Sequence, residues 1–426
     1  MAGRRAAWYP RLLVNRPQSR ARAVFDRPYH FLIPPVPELA NRSRHVGLTT
    51  CRISIGRVNG RAMRELALNC INGFLLSVVL ILLTAKIATR IGLVDIPTSR
   101  KNHDGHVPMV GVAVFVAFAV SAVLLQQRPS GFTSFMVGLS SLVVLGLLDD
   151  RMNLRASIKF IAQIACVALM VLPSNTVIWH VGAILGSEQL LLQQWAAPVT
   201  IIAIVGLINA YNMIDGVDGL AGSLSLVALL WFALAAAMIG LQDQLLLALL
   251  VAFCVIGFLV FNLRHRWRSR ASVFLGDAGS MMLGAVLAFL AIGLSQHDGE
   301  QLSPVAAVWI CAVPIIDTVS LAIRRLAAGR SPFSSDRQHL HHIMLDAGMT
   351  VSEIVATLFV VSAILGGIGV FGWYLGVPDT VMLLGLLVPV SAHVWFEHGG
   401  RNHMPRTWRF AGKDKTSFKT PQPLLK

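Results

Sequence analysis

Eleven apolar runs set the terms for anything this chain can fold into. They lie near residues 69–90, 107–125, 131–148, 158–173, 197–215, 220–240, 243–262, 272–294, 303–323, 351–376 and 379–396. Each reaches or approaches the roughly 20 helical residues that cross about 30 Å of hydrocarbon, the fourth being short. A backbone in hydrocarbon must satisfy its own N–H and C=O groups, so such runs are expected as helices. The fold class that follows is all-α: a polytopic integral membrane protein with about eleven transmembrane helices. Only 13% of the 426 residues are charged, against about 25% in soluble domains, which agrees with that class. Cys51, Cys70, Cys166, Cys254 and Cys311 stand singly, a pattern that offers neither a disulfide framework nor a zinc site.

The net charge of +15 could suggest nucleic acid, but in a membrane protein the first question is which side carries it. If the eleven runs cross in alternation, connections on one side hold 21 Lys or Arg and those on the other hold one, Arg128. The positive-inside rule makes the basic side cytoplasmic, with the first span starting outside and the C-terminus inside. No nucleic-acid partner is expected.

Residues 1–62 differ from the rest, being rich in arginine and proline, with twelve arginines before Met63. They are expected to be a non-native or disordered extension ahead of a start at Met63, the alternative being a genuine tail or transit peptide. Residues 63–398 then form the membrane domain and residues 399–426 a basic cytoplasmic tail suited to anionic lipid.

Under this topology the polar clusters share one face. The third run ends in Asp149-Asp150, followed by Arg151, Asn153, Arg155 and Lys159. The fifth ends in Asn209-Ala-Tyr-Asn212-Met-Ile-Asp215-Gly-Val-Asp218-Gly-Leu220, in which Asn209, Asn212 and Asp215 are spaced three apart and share a helical face. After the seventh come Asn262, Arg264 to Arg270, and Phe274-Leu-Gly276-Asp277-Ala-Gly279-Ser280; after the ninth, Asp336-Arg337-Gln338-His339-Leu-His341-His342. Carboxylates at span ends are costly unless they meet a cation, a donor or water, so each is a functional-site hypothesis. Taken singly, the central stretch also reads as a polar turn, the arginine run as a lipid anchor and the histidines as a solvated loop. Together, carboxylates and carboxamides are hard oxygen ligands for Mg²⁺, and arginine, lysine and histidine are phosphate partners. The mixture points to a phosphoryl or diphosphate substrate held by metal at the inner leaflet.

These four clusters, in order and with compatible spacing over about residues 69–346, resemble the signatures of the polyprenyl-phosphate N-acetylhexosamine-1-phosphate transferases. Asp95-Ile-Pro97-Thr-Ser-Arg100-Lys101-Asn-His103 looks like that family's first cytoplasmic segment. Within the family, His339-Leu-His341-His342 after Asp336-Arg337-Gln338 is similar to the branch that passes GlcNAc 1-phosphate to undecaprenyl phosphate and so starts O-antigen and related glycans. Two positions depart from the pattern: Asn153 replaces a third acid after Asp149-Asp150, and Gly111-Val112 replaces a Gly-Gly pair.

The resemblance implies a bacterial inner-membrane enzyme with its site on the cytoplasmic face. An undecaprenyl-phosphate oxygen would attack the β-phosphorus of a UDP-N-acetylhexosamine and release UMP. Asn212 and Asp277 would be Mg²⁺ ligands, with Mn²⁺ as an alternative. Asp149, Asp150, Asp215, His339, His341 and His342 would form the catalytic set. Lys101, Lys159, Asn209, Asp218, Asn262 and Arg337 would bind substrate. A homo-oligomer is compatible with this reading. A lipid-linked sugar transporter would also be polytopic, but would place its charges near the midplane and show internal repeats.

Overall fold

The computed structural model describes residues 60–95, 107–125, 127–174, 176–299, 301–329, 331 and 339–399. Lys101, Arg337, the segment 1–59 and the tail from residue 400 lie outside the described residues.

The chain is a helical bundle built in sequence order. Helix α1 (Gly60–Ile91) leads to a two-stranded antiparallel ladder, β1 (Val94–Asp95) with β2 (Val107–Pro108), and then to α2 (Gly111–Val123). There follow α3 (Phe132–Met152), α4 (Ala156–Val171), α5 (Ala196–Ile214), α6 (Leu220–Ile239), α7 (Gln242–Asn262) and α8 (Gly276–Ser295). The remainder is α9 (Pro304–Ile310), α10 (Ala312–Ala327), α11 (Leu340–Asp346), α12 (Val351–Tyr374), α13 (Asp379–Gly385) and α14 (Leu387–His398).

Among the described residues eight helical segments are long and apolar enough to cross a membrane, α13 and α14 counting as one. The run at 303–323 is instead two helices, α9 and α10, bent by 87° about Cys311. The runs at 107–125 and 158–173 give helices of 13 and 16 residues, about 20 and 24 Å at 1.5 Å per residue. Each expected run therefore contains helix, while eleven full spans are not established.

Position in the bundle follows from what each helix buries. For α8, 89% of its apolar window is buried, against 22% for α1 and 11% for the α13–α14 segment, so α8 is the axis. On α1 the exposed residues Leu68, Ile71, Leu75, Val79 and Leu82 recur at helical spacing. An apolar stripe left outward in this way belongs against lipid. This is a multi-pass membrane protein.

Glycines let backbones close on α8. A Cβ on Gly146 of α3 would overlap the Ala278 backbone, and one on Gly111 would overlap Gly279. Small residues at such crossings allow the close packing that holds helices together in lipid. The ends of β2 and α8 are also stitched together, Phe274 N–H donating to Pro108 O and Val110 N–H to Phe274 O, each at 2.9 Å. At the far ends of α4, α5, α8 and α12, the Asp379 carboxylate accepts from Ser303 Oγ at 2.5 Å and from Ala183 N–H at 2.8 Å. Ser303 and Asp379 border a cavity of about 290 Å³ lined also by His180, Gln301 and Trp373.

Candidate active site

Four helix termini meet at the other end: the C-termini of α3 and α5 and the N-termini of α4 and α8. At their centre is the Lys159 ammonium, 2.6 Å from Asp149 Oδ2, 3.1 Å from Asp277 Oδ2 and 3.0 Å from Asn212 Oδ1. Its side chain is 15% exposed, so the charge is drawn in by this oxygen set without being sealed from the surface. Asn212 Nδ2 donates to Asp277 Oδ1 at 2.5 Å and to Ser280 Oγ at 2.9 Å. The amide thus fixes the Asp277 rotamer and turns its own oxygen toward the cation.

Neighbouring acids on α3 take different directions, as the 100° step of a helix requires. Asp149, buried, uses Oδ1 to accept from Leu154 N–H at 2.8 Å and points Oδ2 at Lys159. Asp150 turns to α8, accepting from Asp277 N–H at 2.7 Å and Ala278 N–H at 3.3 Å. Those N–H groups have no partner within their own helix, and a carboxylate there is also favoured by the helix dipole. Gly276 makes the approach feasible, with φ of +70° and a Cβ position only 2.7 Å from Asp150 Oδ2.

The central loop is braced from α7. Asn262 Oδ1 accepts from Gly219 N–H at 2.7 Å while its Nδ2 donates to Val273 O at 2.8 Å. Asp218 Oδ2 accepts from Arg264 Nε at 2.6 Å and from Ala271 N–H at 3.0 Å. Both side chains therefore tie the loop after α5 to the segment before α8. Asn209 lies a turn deeper on α5, its Nδ2 donating to Gln163 Oε1 and Val205 O, each at 2.8 Å. Of the substrate-binding residues expected from sequence, Lys159 is thus central, Asn209 is set back, and Asp218 and Asn262 flank the site.

The histidine motif reaches the same loop. His341 is buried, and a Cβ on Gly216, next to Asp215, would collide with its ring. The ring centroids of His341 and His342 are 4.3 Å apart, and His339 lies parallel to His341 at 5.8 Å. Burial, reinforced by the neighbouring His342, pushes the His341 imidazole down to about 3, so it is neutral at physiological pH. His339 Nδ1 pairs with Asp317 Oδ2 at 2.8 Å. Gln163 and Asp317 were not singled out from sequence, although Asp317 carries a signal: an acid inside an apolar run.

Residues 132–295 match glycosyl transferase family 4, a region that contains the four helix termini. Over 320 residues the chain is 34% identical to the undecaprenyl-phosphate alpha-N-acetylglucosaminyl 1-phosphate transferase of Salmonella typhi, covering 74% of this chain and 86% of that protein. The proteins of the same description from Yersinia pestis and Haemophilus influenzae are each 33% identical, over 343 and 310 residues. Those alignments cover 79% and 72% of this chain and 91% and 87% of the relatives. With a shared sequence over most of both partners, the chain belongs to glycosyl transferase family 4, the polyprenyl-phosphate N-acetylhexosamine-1-phosphate transferases.

Proposed function

We propose that the protein transfers N-acetylhexosamine 1-phosphate, with GlcNAc as the favoured sugar, from its UDP-sugar to undecaprenyl phosphate. UMP is released and the lipid diphospho-sugar is the first intermediate of a cell-surface polysaccharide such as O-antigen. The site faces the cytoplasm from the bacterial inner membrane, where a soluble donor meets a lipid acceptor. The observation that carries this reading is the Lys159 ammonium held among Asp149, Asp277 and Asn212 at one end of the bundle. A transporter would be expected to gather such groups near the midplane.

The donor set suits Mg²⁺, with Mn²⁺ as an alternative: hard carboxylate and carboxamide oxygens converge where the fold already draws in a cation. Asp277 and Asn212 would hold the ion, which when bound neutralises charge on the diphosphate. Lys159 is close enough to the surface to exchange a carboxylate for a phosphate oxygen. Asp149 orients that ammonium, and Asp150 holds the start of α8 and with it Asp277. The histidines would hold the diphosphate or sugar, and Asp215 would organise the metal site.

The acceptor needs little help to become a nucleophile. A phosphate monoester has its second pKa near 6, so it is mostly dianionic at pH 7. In a single displacement its oxygen forms a bond to the β-phosphorus, and the bond from that phosphorus to the bridging oxygen breaks as UMP leaves. Positioning and charge neutralisation dominate such transfers. The test is a panel of radiolabelled UDP-N-acetylamino sugars given to membranes with undecaprenyl phosphate. Labelled lipid and UMP from UDP-GlcNAc are the expected result. Transfer from another UDP-amino sugar alone would change the donor, and transfer from none would overturn the reading.

A further inference from the structure

A chain of buried ionisable groups runs from the last helix to the histidine motif. Asp317 of α10 is 1% exposed. Its Oδ2 accepts from His339 Nδ1 at 2.8 Å and its Oδ1 from Leu340 N–H at 2.8 Å. Behind it, His393 Nε2 of α14 stands 3.9 Å from Asp317 Oδ1 and 3.1 Å from Glu397 Oε1, which pairs with Arg324 Nη2 at 2.8 Å. A carboxylate removed from water is costly unless its oxygens are used, and here two donors to it, His339 Nδ1–H and Leu340 N–H, lie on the motif itself. Asp317, His393 and Glu397 are close enough together to suggest a cation site. The Arg324 guanidinium already balances Glu397, so the group reads as an ion-pair chain instead.

We propose that Asp317, backed by His393 and Glu397, is the positioning residue of the histidine motif: it fixes the ring of His339 with Nε2 left for the donor phosphates. This rests on the transferase reading above. An Nδ1–H committed to a carboxylate determines the tautomer, so any proton shared with substrate is shared at Nε2. The bond to Leu340 N–H also anchors the first turn of α11, which carries His341 and His342. Asp150 performs the same service for α8, so both functional helix starts are held by an acid from a neighbouring helix. The C-terminal span thereby contributes to a site lying mostly within α3 to α8.

The test uses the full-length protein in detergent, with UMP release from UDP-GlcNAc and undecaprenyl phosphate. Asp317→Asn is expected to lower kcat by about 10- to 100-fold, the usual range for an outer partner of a functional histidine, with the donor KM little changed. Asp317→Glu should restore part of that loss. Asp317→Asn combined with His339→Ala should be no slower than His339→Ala alone, because one residue acts through the other. Losses that multiply, or an unchanged kcat in Asp317→Asn, would overturn the proposal. If Asp317→Asn does not accumulate as folded protein, His393→Gln tests the same chain one step back, with a smaller fall expected and no change contradicting it. Hydrogen exchange of the α11 amides provides a readout that does not depend on activity. Faster exchange in Asp317→Ala supports the link, and unchanged exchange refutes it. Wild-type protein that releases no UMP would defeat the transferase reading while the exchange experiment still judged Asp317.

Discussion

The Asp150 carboxylate accepts the backbone N–H of Asp277 at 2.7 Å, so an acid of α3 caps the helix whose first turn carries the central carboxylate of the site. The cap and the capped residue should respond differently to mutation. Losing a cap costs about 0.5–2 kcal/mol. Asp150→Ala should therefore lower both the thermal midpoint in detergent and the turnover, and Asp150→Asn, which keeps one acceptor oxygen, should be milder in both.

Lys159 makes its three polar contacts from a single atom. Lys159→Gln removes the charge while keeping much of the length, and leaves Asp149 and Asp277 facing each other uncompensated. Turnover should fall by about 10²–10³-fold, the range for losing one group that stabilises developing charge. Steady-state UMP release from the purified variant checks this, with intact insertion verified by its elution as a single species.

The buried His341 imparts a pH dependence to stability. Its folded pKa of about 3 lies below the ordinary 6.5, so the native state binds fewer protons than the unfolded chain between those values. Stability then rises with pH across that window. The contribution is fully present above about 6.5 and is lost as pH falls toward 3. Between pH 7.5 and about 4 the thermal midpoint of wild type in detergent should fall relative to that of His341→Leu, the difference isolating this imidazole from the acids that titrate in the same window.

Gly146 of α3 lies against the Ala278 backbone of α8. Gly146→Leu forces that crossing apart at a cost of about 1–3 kcal/mol. It should reduce the thermal midpoint and, because Asp149 and Asp150 follow on the same helix, turnover as well. Gly206 of α5 has nothing within 4 Å of its Cβ position, so Gly206→Ala should leave both unchanged.

Much of the site was legible because its chemistry is costly in apolar surroundings. Asp149-Asp150, Asn212 and Asp277 stand at the ends of long hydrophobic runs, and the three-residue spacing from Asn209 to Asp215 follows helix geometry. Direction was harder to read. Hydropathy reports composition and not path, so residues 303–323 look like one span although Cys311 leaves helical geometry and the chain turns by 87° there. Residues 107–109 look like the start of a span but are extended, pairing with β1 and Phe274. The two acids of α3 are equivalent in sequence, and only packing shows that one faces Lys159 and the other α8. Asp317 was passed over because its partners lie 22 and 76 residues away, at His339 and His393.

The central claim is that the oxygens of Asp149, Asn212 and Asp277 converge to serve one phosphate-transfer centre. UMP release from UDP-GlcNAc and undecaprenyl phosphate, followed across added Mg²⁺ for wild type and Asp277→Asn, tests it most directly. Wild type should release UMP in stoichiometric step with the lipid diphospho-sugar, and a folded, inserted Asp277→Asn should lose about 10²–10³-fold at every Mg²⁺ concentration. Wild-type turnover by the Asp277→Asn protein at saturating Mg²⁺ would contradict it.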